Sequence, residues 1–216
     1  MQWHAGPLEA DFSGTAGLQP CRGAGELRLL ETLCLPNKYL GAAIDNLFDQ
    51  GGHPVFCSLD LASSLKVADG KVTKVAEEQL VEGRSIVREV AESILQMVEF
   101  KSNVTGLMTT FPTFLSVIRP GTTPVPYTES HVDLYSYKDS ALHFTSILYL
   151  QGADIGGELY LEREEEEERK VEAMKGTLLT FTSGEENRHR VAEVMEGVRV
   201  ALTIFFTCDQ DFHLDI

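Results

Sequence analysis

Four residues in the second half of the chain have the types and spacing to bind a metal ion and an anion. His131 and Asp133 are separated by one residue, His189 follows much later, and Arg199 comes ten positions after His189. Two imidazoles and one carboxylate are the ligands of a 2-His-1-carboxylate site, which holds non-haem Fe(II) on one face and leaves the opposite positions open. A guanidinium near such a metal suits an anionic cosubstrate.

The spacing of His131 and Asp133 predicts that one strand presents both side chains. Residues i and i+2 of an extended strand point the same way, so both could reach one ion. His189 must then come from another strand brought alongside by folding. A lone His or a His-x-Asp tripeptide is common by chance, but Arg199 lies in an apolar run and needs an anionic partner, because burying an unpaired charge is costly.

The region after Gly106 is predicted to form short strands separated by turn signals, a pattern that favours a sandwich or barrel. Alternation along two of these strands predicts which side chains share a face: Thr145, Ile147 and Tyr149 on one strand, and Arg199, Ala201, Thr203 and Phe205 on the last. The five glutamates Glu164 to Glu168 are expected to form a solvated loop, because like charges repel. The strand-like segments are 114–118, 143–150, 158–161, 177–181, 189–194 and 198–207.

The first half of the chain is predicted to carry helices that support this region. A strand is expected within 27–35, a helix from Pro36 to about Phe48, short strands within 55–67, and the longest helix from about Val72 to Phe100. The fold class is therefore mainly β with N-terminal helices (α+β). The expected divisions are 1–24 as a loose lead-in, 25–110 as a helical support region, 111–209 as the core and 210–216 as a tail.

The composition of the chain limits the classes of binding partner and the cellular compartment that we expect. A formal net charge of −15 argues against nucleic acid or an anionic membrane surface as the main partner. No apolar run approaches the roughly 20 residues that span a bilayer, and no signal-peptide core is seen near Met1, so a cytoplasmic location is the default expectation. The four cysteines show no CxxC spacing and are expected to be structural thiols.

The region from about Phe114 to Asp209 resembles the iron- and 2-oxoglutarate-dependent dioxygenases, and within them the prolyl 4-hydroxylase-like branch. The resemblance implies a double-stranded β-helix (jelly-roll, cupin-like) core with His131, Asp133 and His189 as iron ligands. It further implies that Arg199 binds the distal carboxylate of 2-oxoglutarate and that Tyr149 assists it, with Thr203 on the same face. The motifs that carry it are Arg119-Pro120-Gly121, His131-Val132-Asp133, Thr145 to Leu150, Gly156 to Leu159, Lys175-Gly176 with Leu178 to Phe181, His189-Arg190-Val191 and Gly197 to Phe206.

The function implied by this resemblance is Fe(II)- and 2-oxoglutarate-dependent hydroxylation of a C–H bond with O2, giving succinate and CO2. The expected substrate is a polypeptide, with a prolyl side chain first, and ascorbate is the implied reductant. The chain departs from many prolyl hydroxylases at Arg119, where they have Tyr, and from the collagen-type members at Arg199, where they have Lys.

Two alternatives stay open at this point: a small-molecule hydroxylase on the same fold, and a catalytically silent metal-binding sensor or scaffold. The intact triad and Arg199 count against the second. The remaining histidines are expected to be dispensable for metal binding: His4, His53, His143 and His213.

Overall fold

The structure is a computed structural model that describes residues 30–31, 56–61, 64–68, 71–76, 78, 80–121, 125, 127–136, 141–162 and 168–214. The described part is mostly antiparallel β-sheet, with one long helix. The strands are β1 Leu30–Glu31, β2 Phe56–Asp60, β3 Leu65–Ala68, β4 Lys71–Lys74, β5 Met108–Ile118, β6 Phe144–Gly156, β7 Leu159–Leu161, β8 Arg169–Val171, β9 Leu178–Thr182, β10 His189–Val191 and β11 Val194–Thr207. The helices are α1 Val81–Ser102 and the four-residue α2 Asp133–Ser136, and short 3-10 turns cover Glu185–Asn187 and Gln210–Phe212.

The strands form two sheets. The major sheet has eight strands in the order β1-β9-β6-β11-β5-β2-β3-β4, and the minor sheet has three in the order β10-β7-β8. In the centre of the major sheet, Thr203 of β11 lies opposite Ile147 of β6 and Phe114 of β5. Strand neighbours in one such row point to the same side of the sheet. The long strands therefore carry a cross-strand row of side chains that faces one way.

The two faces of the major sheet have different partners. On one face, Leu115, Leu148 and Leu202 pack in one apolar cluster with α1. That helix presents buried positions at helical spacing, which is the pattern of an amphipathic helix on a sheet: Val87, Ala91, Ile94 and Val98. On the other face, Ile147, Tyr149 and Ala201 pack with Leu159 and Leu161 of the minor sheet. The alternation predicted for β6 and β11 is thus found, and the minor sheet covers the face that carries Arg199 and Thr203.

The helix predicted from Val72 begins later than expected. The structure starts α1 at Val81, whereas Lys71–Lys74 form edge strand β4, whose residues are all exposed. The spacing of apolar residues reflects only local sequence, so it cannot show that this segment pairs with β3. That pairing outweighs the weak helical pattern. The helix runs through Gly83 without a break and ends at Asn103, whose left-handed conformation (φ 54°) caps it.

The support region is less helical than expected. Its described residues contribute β1 to β4 to the major sheet, and α1 is the only helix among them. The strand expected within 27–35 contains β1, which pairs with β9. The helix expected from Pro36 to Phe48 and the positions Glu164 to Glu167 lie outside the described residues, whereas Glu168 is exposed and pairs with Arg190 at 2.8 Å.

Two further expectations concern the cysteines and membrane-spanning segments. Cys208 is disulfide-bonded, so the expectation of structural thiols is wrong at this position. Within the part of the chain that the structure describes, no helix is both long enough and apolar enough to cross a membrane.

Candidate metal centre and its cleft

His131 and His189 are brought together by a pair of backbone hydrogen bonds. The N–H of each donates to the carbonyl of the other at 2.9 Å, in an isolated antiparallel bridge. His189 is the first residue of β10, at the edge of the minor sheet, and His131 lies in the segment that follows β5. The two ring centroids are 4.4 Å apart. The prediction that His189 arrives from another strand is therefore met by the fold.

Asp133 reaches the same point from a different element than predicted. It is the first residue of α2, so the expectation that His131 and Asp133 share one strand is wrong. The chain turns into the helix after Val132, where the N–H of Leu134 donates to the carbonyl of Ser183 at 2.9 Å. Asp133 Oδ1 still lies 3.9 Å from His131 Nε2, and its Oδ2 lies 3.8 Å from His189 Nε2.

The hydrogen bonds of the two imidazoles leave their metal-binding nitrogens free to face the carboxylate. His131 Nδ1 lies 2.9 Å from the carbonyl oxygen of Glu129, and His189 Nδ1 lies 2.8 Å from that of Asn187. A carbonyl only accepts, so each Nδ1 carries the proton and each Nε2 keeps its lone pair. Burial lowers the pKa of His189 against the opposing attraction of Asp133, and His131 lowers it further, which favours the neutral, metal-binding form.

The three ligand-type atoms lie within 4.8 Å of one another, so they could hold one metal ion. Among the described residues this is the one group of three or more His, Cys, Asp or Glu side chains with that geometry. Asp133 and His189 are buried and His131 is half-buried, so the group opens toward solvent on the His131 side. His143 is elsewhere: its Nδ1 accepts from the N–H of Cys208 at 3.2 Å, and it is not part of the group.

A cleft of about 470 Å³, including its open mouth, runs from this group between the two sheets. Its walls are largely apolar, with polar groups at the metal-type cluster and at the opposite end. It is lined by Phe114, Ser116, Tyr127, His131, Asp133, Thr145, Ile147, Leu159, His189, Val191, Arg199, Thr203 and Phe205.

Arg199 lines the cleft and packs against the ring of Tyr149, which is not itself a lining residue. Arg199 is 4% exposed, and its Nε donates to the carbonyl of Gly157 at 3.1 Å. Its guanidinium carbon lies 5.1 Å from the centre of the Tyr149 ring. Tyr149 is fully buried, and its hydroxyl is the one buried side-chain polar atom in the described residues without a hydrogen-bond partner. Burial raises the pKa of Tyr149, whereas the charge of Arg199 and a hydrogen-bonding contribution from its guanidinium both oppose the shift, so the hydroxyl stays neutral.

A buried hydroxyl without a hydrogen-bond partner, beside a buried guanidinium, could bind a carboxylate. Nearly all buried polar groups in native proteins have a partner, so an exception points to a ligand or another unfilled requirement. Arg199 uses Nε toward Gly157, which directs its two terminal nitrogens elsewhere. A carboxylate is the group that accepts from a guanidinium and a phenol together.

Three residues at this site were missed by sequence reasoning. Thr145 was placed on the correct face, but its hydroxyl donates to Asp133 Oδ2 at 2.7 Å, a contact that only the fold creates. Ser183 extends that contact, with its Oγ 2.9 Å from Thr145 Oγ1. Gly157 has a φ of +76°, and a Cβ there would lie 3.2 Å from Arg199 Cδ. The Gly156-Gly157 pair could have indicated a close backbone approach.

Comparisons with known proteins agree with this geometry. The family model described as "2OG-Fe(II) oxygenase superfamily" matches residues 124–207, a range that contains the three metal-type residues and Arg199. The chain is 35% identical over 148 residues to the rat "2-oxoglutarate and iron-dependent oxygenase domain-containing protein 3", covering 66% of this chain and 46% of that protein. The chain thus spans about half the length of the curated relatives it matches.

Solved structures share the fold at low sequence identity. A prolyl hydroxylase from Trichoplax adhaerens, in complex with a hypoxia inducible factor oxygen degradation domain peptide, is 18% identical with a TM-score of 0.56, over 85% of this chain and 84% of that one. A viral collagen prolyl hydroxylase from Paramecium Bursaria Chlorella virus-1 is 14% identical with a TM-score of 0.58, over 89% of this chain and 95% of that one. At these identities the likeness concerns the fold.

Proposed function

We propose that the chain is an Fe(II)- and 2-oxoglutarate-dependent dioxygenase that hydroxylates a C–H bond, and the match of residues 124–207 to the 2OG-Fe(II) oxygenase family model supports this proposal. The observation that carries the proposal is the convergence of His131, Asp133 and His189 within 4.8 Å, with both imidazoles in the metal-binding tautomer. These three residues would hold Fe(II). The two facing sheets would correspond to the double-stranded β-helix of 111–209, with 25–110 as support and 1–24 and 210–216 as terminal segments.

Arg199, Thr203 and the neighbouring Tyr149 would bind and orient 2-oxoglutarate. Arg199 would pair with its distal carboxylate through the terminal guanidinium nitrogens, and the Tyr149 hydroxyl would donate to the same group. Thr203, on the same face as Arg199, would line this pocket. When bound, the Fe(II) and 2-oxoglutarate pair supplies the oxidising chemistry with O2, producing succinate and CO2, and ascorbate would serve as the reductant that restores Fe(II).

The protein's own contribution is orientation and exclusion of water. The apolar cleft walls keep solvent from the end occupied by Arg199, which strengthens the charge pair in a low-dielectric setting. The half-buried His131 marks the accessible side, from which a substrate would approach. The stacked rings of Phe114 and Tyr127, 6.1 Å apart, form an apolar wall on that side, with Tyr127 5.7 Å from His131.

A peptidyl side chain, with proline first, is the proposed substrate. The support is that the two structural neighbours described above are prolyl hydroxylases, one of them with a peptide bound. A formal charge of −15 is compatible with a neutral or basic polypeptide. A small-molecule hydroxylase on the same fold is the competing candidate, because it would use the same cleft with a different entrance.

The test is turnover with a defined order of addition. The protein is loaded without oxygen with Fe(II) and 2-oxoglutarate, then exposed to O2 with and without a library of proline-containing peptides. Succinate formation that depends on Fe(II), together with a peptide that gains one oxygen atom, is the expected result. Succinate without any modified peptide would favour the small-molecule alternative. Fe(II) binding without succinate would favour a silent metal-binding protein.

A further inference from the structure

We propose that Thr145 and Ser183 are positioning residues: a buried pair of hydroxyls that holds the Asp133 carboxylate in place before any metal binds. The inference rests on the proposed function, since Asp133 is there a ligand to Fe(II). It adds two residues that neither touch the ion nor belong to the triad. Both are 1% exposed, and Asp133 is 7% exposed.

The direction of each hydrogen bond follows from chemistry. An ionised carboxylate only accepts, so the Thr145 hydroxyl donates to Asp133 Oδ2 across 2.7 Å. The Thr145 oxygen can then only accept from Ser183 Oγ, 2.9 Å away. The two hydroxyls therefore form a one-way chain that ends on the carboxylate. Hydrogen bonds to a charged acceptor are the shorter and stronger kind, and polarisation along the chain strengthens them further.

Ser183 is itself fixed by the backbone on both sides. Its N–H donates to the carbonyl of His143 at 3.1 Å, and its carbonyl accepts from the N–H of Leu134 at 2.9 Å. Leu134 directly follows Asp133, so Ser183 ties down the start of α2 through the main chain while its side chain acts through Thr145. Two separate connections thus run from Ser183 to the aspartate segment. One of them reaches the backbone of the turn at Leu134, and the other reaches the Asp133 carboxylate.

The need for such support follows from the position of Asp133. The two imidazoles are locked to each other through their backbones, whereas Asp133 sits at the first residue of a four-residue helix. A carboxylate there has no sheet neighbour to define its rotamer. The hydroxyl chain supplies that definition, and partners that orient a ligand typically contribute about 10- to 100-fold to metal affinity.

The test is anaerobic calorimetric titration with Fe(II) on the full chain and on matched variants. Thr145→Val removes the hydroxyl at nearly constant volume and should weaken Fe(II) binding about 10- to 100-fold. Thr145→Ser keeps the hydroxyl and should restore most of the affinity. Ser183→Ala removes one neutral hydrogen bond, which corresponds to a loss of about 2- to 10-fold. The double variant should bind no more weakly than Thr145→Val, because Ser183 acts through Thr145.

Ser146 offers a control within the same strand. It is fully buried, and its Oγ lies 2.9 Å from Thr180 Oγ1, a hydroxyl pair of the same kind that is not in contact with Asp133. Ser146→Ala should bind Fe(II) as the parent does. Equal losses in Ser146→Ala and Thr145→Val would assign the effect to general destabilisation and overturn the proposal.

Two further readouts separate the possible failures. Thr145→Val should lower Fe(II) affinity by a larger factor than it lowers 2-oxoglutarate affinity on Fe(II)-loaded protein; a loss confined to 2-oxoglutarate would make Thr145 a cosubstrate contact instead. If Asp133→Ala leaves Fe(II) affinity intact, the proposed metal centre itself is wrong. If Asp133→Ala abolishes binding while Thr145→Val and Ser183→Ala bind like the parent, only the positioning role is lost. Should Thr145→Val fail to fold, Ser183→Ala and Thr145→Ser decide alone.

Discussion

Removing the hydroxyl of Tyr149 should change stability and cosubstrate binding in opposite directions. The residue is fully buried, and within the described residues its hydroxyl has no hydrogen-bond partner. Burying a hydroxyl without a partner costs about 1–3 kcal/mol by mutational measurements. Without 2-oxoglutarate, Tyr149→Phe should therefore leave the free energy of unfolding unchanged or raise it by up to about that amount.

The same change should weaken 2-oxoglutarate binding. A hydrogen bond to a charged group contributes about 1.5–3 kcal/mol, which at 1.4 kcal/mol per factor of ten is about 10- to 150-fold in affinity. Fe(II) affinity should not change, because Tyr149 lies at the Arg199 end and not among the three metal-type residues. Few substitutions gain stability and lose a ligand at once, so the combination is a specific signature.

Thermal unfolding without ligand and anaerobic titration with Fe(II) and then 2-oxoglutarate measure the three quantities on one preparation. Tyr160→Phe is the matched control, since the ring of Tyr160 packs against Arg190, at 4.4 Å, whereas the ring of Tyr149 packs against Arg199. It should leave 2-oxoglutarate affinity at the parental value. A lower melting temperature for Tyr149→Phe, or parental 2-oxoglutarate affinity, would refute the assignment of this hydroxyl to the cosubstrate.

Four more outcomes are expected. Arg199→Met should raise the half-saturating 2-oxoglutarate concentration about 30- to 4,000-fold without changing Fe(II) affinity, because breaking a buried charge pair typically costs about 2–5 kcal/mol. Arg199→Lys should have an intermediate effect. Equal loss of both affinities in titration would make Arg199 a structural residue. His189→Ala should abolish Fe(II)-dependent succinate production, whereas His143→Ala should retain Fe(II) binding in the same titration. Gly157→Ala should lower both the melting temperature and 2-oxoglutarate affinity, because its φ of +76° and the 3.2 Å approach to Arg199 Cδ disfavour a side chain. Replacing the five residues 164–168 with Ser and Gly should leave 2-oxoglutarate decarboxylation within a few-fold, and a collapse of cosubstrate affinity would contradict a solvated loop.

The sequence predicted the site residues better than the path of the chain between them. The types and order of His131, Asp133, His189 and Arg199 carry chemical information that does not depend on local conformation, and the fold brings the first three together. The alternation along β6 and β11 was also readable, because a period of two is a local property. The role of each residue as a ligand stays a prediction.

What the sequence could not supply were contacts between distant segments. The apolar spacing predicts that a helix begins within the segment that forms edge strand β4. All four β4 residues are exposed, so no alternation of buried and exposed positions marks the segment as a strand that pairs with β3. The His-x-Asp spacing predicts a strand at Asp133, because nothing in the local sequence shows that the N–H of Leu134 bonds the distant carbonyl of Ser183. The bond between Thr145 and Asp133 likewise depends on how α2 meets β6.

The backbone pair between His131 and His189 gives the site a reporter of its own. Each amide hydrogen points at the other residue's carbonyl, so neither can exchange with solvent until the two segments part. That opening is also the motion that would pull the two imidazoles apart. Deuterium uptake at these two positions in the metal-free protein therefore measures how far the centre is assembled in advance. Slow, matched uptake at both would describe a site built by folding and only filled by iron.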